Sequence, residues 1–375
     1  LTLKFTCERE PFKTGLELVE KALPVRSTIP VINNILMEIE QKRLRFTATN
    51  LELDIRYQLE EGIAGSNQDL SFKVLLPPKI VNITRHLPAE DIIMEYNEDH
   101  YRLNLSSGPA KFTLYGADPS DFPQVNEGSA APPGAWEIAE AELKQILRRV
   151  IFALSTDETR PAFNGVLFVF EPGEVTLTAS DTYRLVVKKT AVNGWNFPDN
   201  VFLVPGKALR ELMKILGDGD RAVKVFPEGK KLVFSLEGVS LSTRLLEERY
   251  PDVREVIPQK YETRIQVERK LLEDSVVRAS LLSEGINQAI RLQVKEGELE
   301  VSVSSETGRM EETLAVEQEG QEVEIYVNSR FLIDFLKSVD SKSISMDFNG
   351  KNGPIVIRPL EDDGHLYMVL PIKME

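Results

Sequence analysis

Asn164-Gly165-Val166-Leu167-Phe168-Val169-Phe170, followed by Val175-Thr176-Leu177-Thr178-Ala179-Ser180-Asp181, decides the fold of this chain. Both stretches alternate, a short polar turn separates them, and the second closes on Ser-Asp, so together they read as a β-hairpin. The pattern occurs twice more. Upstream stand Asn34-Ile35-Leu36-Met37-Glu38-Ile39 and Leu44-Arg45-Phe46-Thr47-Ala48-Thr49-Asn50; downstream stand Ala289-Ile290-Arg291-Leu292-Gln293-Val294 and Leu299-Glu300-Val301-Ser302-Val303-Ser304-Ser305. Ile35, Val166 and Ile290 lie 131 and 124 residues apart, a domain length rather than a solenoid period.

Each copy also carries two helical segments at matching places. From Glu140 to Leu154 the residues Leu143, Ile146, Leu147, Val150, Ile151 and Leu154 form an apolar stripe, with Lys144, Arg148 and Arg149 off it. Leu209, Leu212, Met213 and Leu216 repeat the spacing opposite Lys207, Arg210 and Lys214, with Gly217 as terminator. Weaker versions run over Glu10 to Leu23 and Pro78 to Leu87, then Lys270 to Leu282 and Arg330 to Val339. Two helices on one face of an antiparallel sheet make an α+β unit. Proline and acidic residues near Phe122-Pro123 and Tyr250-Pro251 mark the boundaries, giving expected domains 1–125, 126–250 and 251–375.

Composition fits a folded chain of several domains: 375 residues, 42% apolar and 28% charged. No stretch approaches a membrane span, and Leu1 to Glu10 lacks a signal-peptide layout, so a cytoplasmic location is expected. Cys7 is the one cysteine, which excludes an internal disulfide and a cysteine-rich zinc site. The formal charge of −14 opposes simple adhesion to nucleic acid.

Catalytic patterns are missing. His86, His100 and His365 sit in unrelated contexts, and no glycine-rich loop ends in Gly-Lys-Ser/Thr. Gly217-Asp218-Gly219-Asp220 lacks the spaced ligands of a calcium loop and reads as a turn. Asp362-Asp363 and Glu311-Glu312 read as solvated charge. No catalytic residue, metal ligand or cofactor is assigned.

Leu3 to Glu10, Thr28-Ile29-Pro30-Val31-Ile32-Asn33-Asn34-Ile35, Ala179-Ser180-Asp181-Thr182-Tyr183-Arg184-Leu185, Arg249-Tyr250-Pro251-Asp252-Val253 and Tyr367-Met368-Val369-Leu370-Pro371-Ile372-Lys373 together resemble the bacterial sliding clamps, the beta subunits of replicative DNA polymerases. The resemblance spans nearly the whole chain. It implies three clamp domains per protomer and a head-to-tail homodimer whose ring encircles duplex DNA, helices inward and sheets outward. Its implied partners are the polymerase alpha subunit, the clamp loader, and other polymerases and repair proteins bearing a Gln-Leu-x-Leu-Phe-like motif.

Residue by residue, the resemblance implies a peptide pocket between the second and third domains at Phe163, Ser180, Thr182, Tyr183, Arg184, Leu185, Pro251, Val256, Phe331, Met368, Val369, Leu370, Pro371 and Ile372. Strand alternation adds that Met368 and Leu370 point one way and Tyr367 and Val369 the other. Both faces are therefore apolar, and one needs a cover or a ligand. Candidate DNA-facing residues are Arg26, Lys79, Arg148, Arg149, Lys207, Arg210 and Lys214. The implied dimer contact joins Lys111, Phe112 and Leu114 to Leu281, Leu282, Glu306, Glu311 and Glu312. Thr182-Tyr183 replaces the family's common Gly or Ser followed by His, and Glu255 replaces a basic rim residue, which implies a shifted peptide preference. Two rival readings are a three-domain adaptor that never encircles DNA and a hydrolase with an unrecognised carboxylate site. Basic stripes at matching helix positions weigh against the first, and the absence of convergent catalytic groups weighs against the second.

Overall fold

The computed structural model describes residues 2–40, 42–60, 63–65, 71–125, 131–285 and 288–373. Each repeat forms the hairpin that its alternation predicts: Ile35–Glu40 with Arg43–Thr49, Gly165–Glu171 with Glu174–Ser180, and Ala289–Lys295 with Glu298–Ser305, all antiparallel. In the second hairpin Glu171 pairs with Glu174, so Pro172 and Gly173 make the turn, and Gly173 takes a φ of +83°. Proline presets the first corner and glycine supplies the left-handed second one.

Two α-helices accompany each hairpin: α1 Arg9–Val19 and α2 Lys79–Arg85, α3 Glu140–Arg148 and α4 Gly206–Ile215, α5 Arg269–Ser280 and α6 Ser329–Ser338. Several are shorter than their apolar stripes. The stripe after Glu140 leaves α-helix after Arg148 and continues, past Val150 with its φ of −122°, through a 3-10 turn at Ile151–Ala153. Leu143, Ile146, Leu147, Val150 and Leu154 are nevertheless all buried, so the stripe reports burial more faithfully than helical length. The segment from Glu10 likewise ends its α-helix at Val19, with a 3-10 turn at Glu20–Ala22. Gly217 does follow α4, but not as a left-handed cap. Its N–H donates to Glu140 Oε2 at 2.8 Å, and a Cβ there would stand 3.1 Å from that carboxylate.

The chain divides into two compact units, Leu1–Leu143 with Glu211–Leu245, and Lys144–Arg210 with Leu246–Glu375. The division falls inside the second repeat because its strands join the sheets of both neighbouring repeats. In the first unit an eight-stranded sheet runs Trp136–Ala139, Ala222–Glu228, Lys231–Leu236, Val239–Arg244, Leu53–Leu59, Arg43–Thr49, Ile35–Glu40, Ser71–Leu76. A five-stranded sheet of the same unit ends on Ala110–Tyr115. Helix α1 lies so close to the larger sheet that a Cβ on Gly15 would meet the Tyr57 ring at 2.4 Å, and Phe12 packs edge-on to Phe46 at 5.0 Å.

In the second unit a nine-stranded sheet runs Val201–Pro205, Gly165–Glu171, Glu174–Ser180, Arg184–Ala191, His365–Val369, Ile355–Pro359, Ser343–Phe348, Thr263–Glu268, Glu317–Gly320. A four-stranded sheet begins on Gly308–Ala315. Helices α5 and α6 pack together, and Phe335 of α6 stacks on Tyr367 at 4.7 Å. No helix among the described residues is long and apolar enough to cross a membrane.

Candidate functional site

The turn Ser180–Arg184 is built from its own side chains. Thr182 takes a φ of +79°, its N–H donates to Ser180 Oγ at 3.1 Å, and Asp181 Oδ1 accepts from the N–H groups of Tyr183 and Arg184, both at 3.0 Å. Short oxygen-bearing side chains suit such a turn because they replace missing backbone partners. The turn leaves Tyr183 well exposed, at 63%. The N–H of Leu370 donates to the Tyr183 carbonyl at 2.9 Å, which ties the end of the last strand to this turn.

Strand register sorts the expected pocket residues onto two faces. Leu185 pairs with Met368, and Val356 with Met368. These three form a buried cluster against which Val187, Val253, Ile257 and Leu366 pack. Around that floor Val256 and Leu370 are 55% and 40% exposed, and Pro251 is exposed as well. Phe163 meets Tyr250 edge-on at 5.6 Å, and burial, then the Asp181 charge, pushes the Tyr250 hydroxyl up. Pro371 and Ile372 are half-buried, and Ile372 N–H donates to the Tyr326 carbonyl at 2.7 Å.

Arg184 and Val369 pair on the opposite, helix-facing side. There the guanidinium donates to Asp181 at 2.9 Å, to Asp334 at 2.7 Å and to the Phe152 carbonyl at 2.7 Å, and lies 4.4 Å over the Phe331 ring. Burial works against its charge, yet Tyr367, Asp334 and Asp181 hold its pKa above the ordinary guanidinium value. Arg184 and Phe331 thus fasten the hairpin to α6, and Val256 and Leu370 offer an apolar surface beside the buried Leu185 and Met368. Ser180 is buried, and its hydroxyl donates to the Arg184 carbonyl at 2.7 Å. Sequence reasoning missed Val253, Ile257 and Val356 in the floor, and Asp334 as the partner of Arg184. Two apolar residues shortly after Pro251 were the available signal; the cross-strand register of Val356 had none.

The N-terminal domain of the DNA polymerase III beta subunit family matches residues 3–126, the central domain residues 137–252, and the C-terminal domain residues 254–373. The chain belongs to the DNA polymerase III beta-subunit family, the beta sliding clamps. The beta sliding clamp of Staphylococcus aureus is 31% identical over 99% of both chains, and that of Staphylococcus epidermidis is equally similar. The crystal structure of the DNA polymerase sliding clamp from Bacillus subtilis superposes with a TM-score of 0.93 at 28% identity, covering all of both chains. A sliding clamp from Pseudomonas aeruginosa bound to griselimycin gives 0.90 at 25% identity, again over all of both chains.

The candidate cations differ in availability. Arg26 is exposed beside fully exposed Val25, and Lys79, Arg148, Lys207, Arg210 and Lys214 are exposed as well. Several are already engaged: Arg148 donates to the Lys337 carbonyl at 2.7 Å, Lys214 pairs with Glu211 at 2.7 Å, and Lys207 stands 3.6 Å from Glu158. Arg149 is half-buried and bonds Asp362 at 2.8 Å, beside Lys188 on the same carboxylate. Its position off the apolar stripe did not disclose that partner.

Among the described residues, strand Ala110–Tyr115 has a sheet neighbour on one side only, as has Gly308–Ala315. On the first, Leu114 is buried while Lys111, Phe112 and Tyr115 are exposed. Near the second, Leu281 is 79% exposed, Leu282 half-buried, and Glu306 and Glu311 exposed. Glu312 is committed within its own protomer, accepting from Arg278 at 2.6 and 3.0 Å.

Proposed function

We propose that two copies of this chain close head to tail into a ring around duplex DNA and tether the replicative polymerase there, so that the chain acts as a processivity factor. The observation that carries the reading is that, among the described residues, Ala110–Tyr115 and Gly308–Ala315 each end a sheet with exposed apolar or charged side chains on or beside them, Phe112 and Lys111 on the first and Leu281, Glu306 and Glu311 by the second. An unpaired strand is a template for another strand, and one heterologous contact used twice leaves no free end. Exposed Phe112 and Leu281 supply apolar contact, and Lys111 faces a surface with Glu306 and Glu311. Domain limits near residues 125 and 250 fit this assembly.

A closed ring reconciles the charge of −14 with a role on DNA. Topology replaces affinity, so exposed cations such as Arg26, Lys79, Arg148, Lys207 and Arg210 need only tolerate phosphates, with Arg149 as a weaker contributor. The Leu185–Met368 face, with Val256, Leu370 and Tyr183 at its rim, takes the Gln-Leu-x-Leu-Phe-like segment of the polymerase alpha subunit, the clamp loader, other polymerases and repair proteins. Tyr183 and Glu255 at the rim shift its preference among such peptides. Primer extension on a long primed circle, with clamp loader and polymerase supplied, tests the function. Product length should rise sharply when the chain is added; unchanged length would contradict it.

A further inference from the structure

We infer that the face of the eight-stranded sheet turned away from α1 carries a second docking groove, suited to an extended peptide segment that presents a carboxylate beside an apolar side chain. The frame of the Leu185–Met368 face recurs in the first repeat almost bond for bond. Leu51 takes a φ of +75°, its N–H donates to Thr49 Oγ1 at 2.9 Å, Asn50 Oδ1 accepts from the N–H groups of Glu52 and Leu53, and Arg244 N–H donates to the Glu52 carbonyl at 2.7 Å. What differs is the chemistry on that frame. Where Leu185 stands opposite Met368, Asp54 stands opposite Ser242 and accepts from it at 2.9 Å and from Lys231 at 2.5 Å. A buried carboxylate so engaged cannot seat an apolar anchor without losing its partners.

Beside this polar position the same face opens into a groove of about 570 Å³. Leu36 and Phe122 give it an apolar floor, packed together in one buried cluster. Glu38, Arg45, Thr47, Arg56, Lys73 and Asp118 are among the other lining residues. The Thr47 hydroxyl is buried without a hydrogen-bond partner, in a residue only 1% exposed. Such a group ordinarily finds a partner, and here the groove is where one would come from. Lys73 lies 2.6 Å from Glu38, and Arg45 approaches the same carboxylate only to 3.8 Å, its other nitrogens going to Gln58. Arg45, Arg56 and Lys73 thus stand against the Glu38 and Asp118 carboxylates in the lining, a local excess of positive charge on a strongly acidic chain. A ligand carboxylate answers that excess with charge-assisted hydrogen bonds, the Thr47 hydroxyl donates to the same segment, and an adjacent leucine or phenylalanine covers Leu36 and Phe122. The apolar floor favours a peptide over a free anion.

Fluorescence anisotropy with a labelled probe peptide, Gly-Ser-Asp-Leu-Asp-Phe-Gly-Ser, titrated with the full chain, tests the groove. Saturable binding should appear, weaken by about tenfold with Lys73→Glu or with asparagine in place of the probe's aspartates, and weaken by about threefold with Thr47→Val. Lys73 is well exposed and Thr47→Val nearly isosteric, so both variants should fold, which circular dichroism checks. An excess of Gln-Leu-x-Leu-Phe peptide should leave the probe bound, so the result stands apart from the fate of the Leu185–Met368 face. No saturable binding up to about 1 mM, indifference to Lys73→Glu, displacement by the competing peptide, or displacement by inorganic phosphate alone would each overturn the inference.

Discussion

Leu185 stands directly opposite Met368 in adjacent antiparallel strands, and both are nearly inaccessible, at 2% and 6%. Their burial is completed from within the unit by Val253 and Ile257, which pack against them. On the proposed peptide-binding role, the anchor surface is therefore the exposed border at Val256 and Leu370, with the Leu185–Met368 pair as its support.

Border and support should separate on mutation. Val256→Asp should weaken a Gln-Leu-x-Leu-Phe peptide by about tenfold or more with little change in stability, because the side chain is largely exposed. Leu185→Ala should cost about 2 to 4 kcal/mol of stability and weaken the peptide as well. Anisotropy titration and urea denaturation of the two variants check this; equal stability losses would contradict the assignment.

Arg184 acts on the other face. Lysine keeps the charge but not the planar fork that reaches Asp181, Asp334 and the Phe152 carbonyl at once. Arg184→Lys should therefore destabilise the fold by about 2 to 4 kcal/mol, as read by urea denaturation. A loss under about 0.5 kcal/mol, typical of a surface substitution, would show that the cluster does not hold the hairpin to α6.

His365 gives a pH signature. Burial holds its pKa near 3 against 6.5 for an exposed ring; Asp362 pulls upward, and Lys188 and Arg149 add to the lowering. The folded pKa is depressed, so the contribution is fully present above about pH 6.5. It is lost as pH falls toward 3, because the unfolded chain takes up a proton that the folded one refuses. Stability should fall by about 1.4 kcal/mol per pH unit from this group. The Asp362 carboxyl is also depressed: burial would raise it, but Lys188 and Arg149 prevail. Its loss begins only below the ordinary carboxylate value of 3.8. Glu10, Glu60, Glu312 and Glu361, each held below the ordinary 4.5 by hydrogen bonds, add to the fall only as pH approaches that value. Denaturation midpoints between pH 6 and about 5.5 therefore report chiefly the histidine, and His365→Phe should flatten the slope there relative to the parent chain. Parallel slopes would contradict a buried neutral ring.

The proposed assembly rests chiefly on exposed Phe112 and Leu281, so it should break without unfolding the protomer. Leu281→Ala with Leu282→Ala removes about 1.5 to 3 kcal/mol of apolar burial for each fully buried side chain, at two contacts per ring. Light scattering at micromolar concentration should shift from dimer to monomer. An unchanged dimer would place the contact elsewhere.

The repeats, hairpins and apolar stripes were legible because each depends on near neighbours in sequence. Alternation put Tyr367 and Val369 on one side and Met368 on the other, and the structure keeps that division. Distant partners were not legible. Nothing near Arg184 announced Asp334, 150 residues on, and nothing near Arg149 announced Asp362, 213 residues on. Helix lengths were overestimated for a related reason: a 3-10 turn at Ile151–Ala153 keeps an apolar face buried as well as an α-helix does. The polar Asp54 and Ser242 in place of Leu185 and Met368 could be recognised as equivalents only once the strand pairs were known.

The most direct test of the ring is retention on DNA. The chain is loaded on nicked circular duplex, washed at about 0.5 M salt, where the Debye length is only about 4 Å, and the circle is then cut once. Protein held by topology should survive the wash and leave within minutes of the cut. Replacing Arg148, Lys207 and Arg210 with alanine should slow loading yet leave most loaded protein on uncut circles. Protein held by phosphate contacts would instead leave circles and linear DNA at the same salt-dependent rate, and that result would contradict the account.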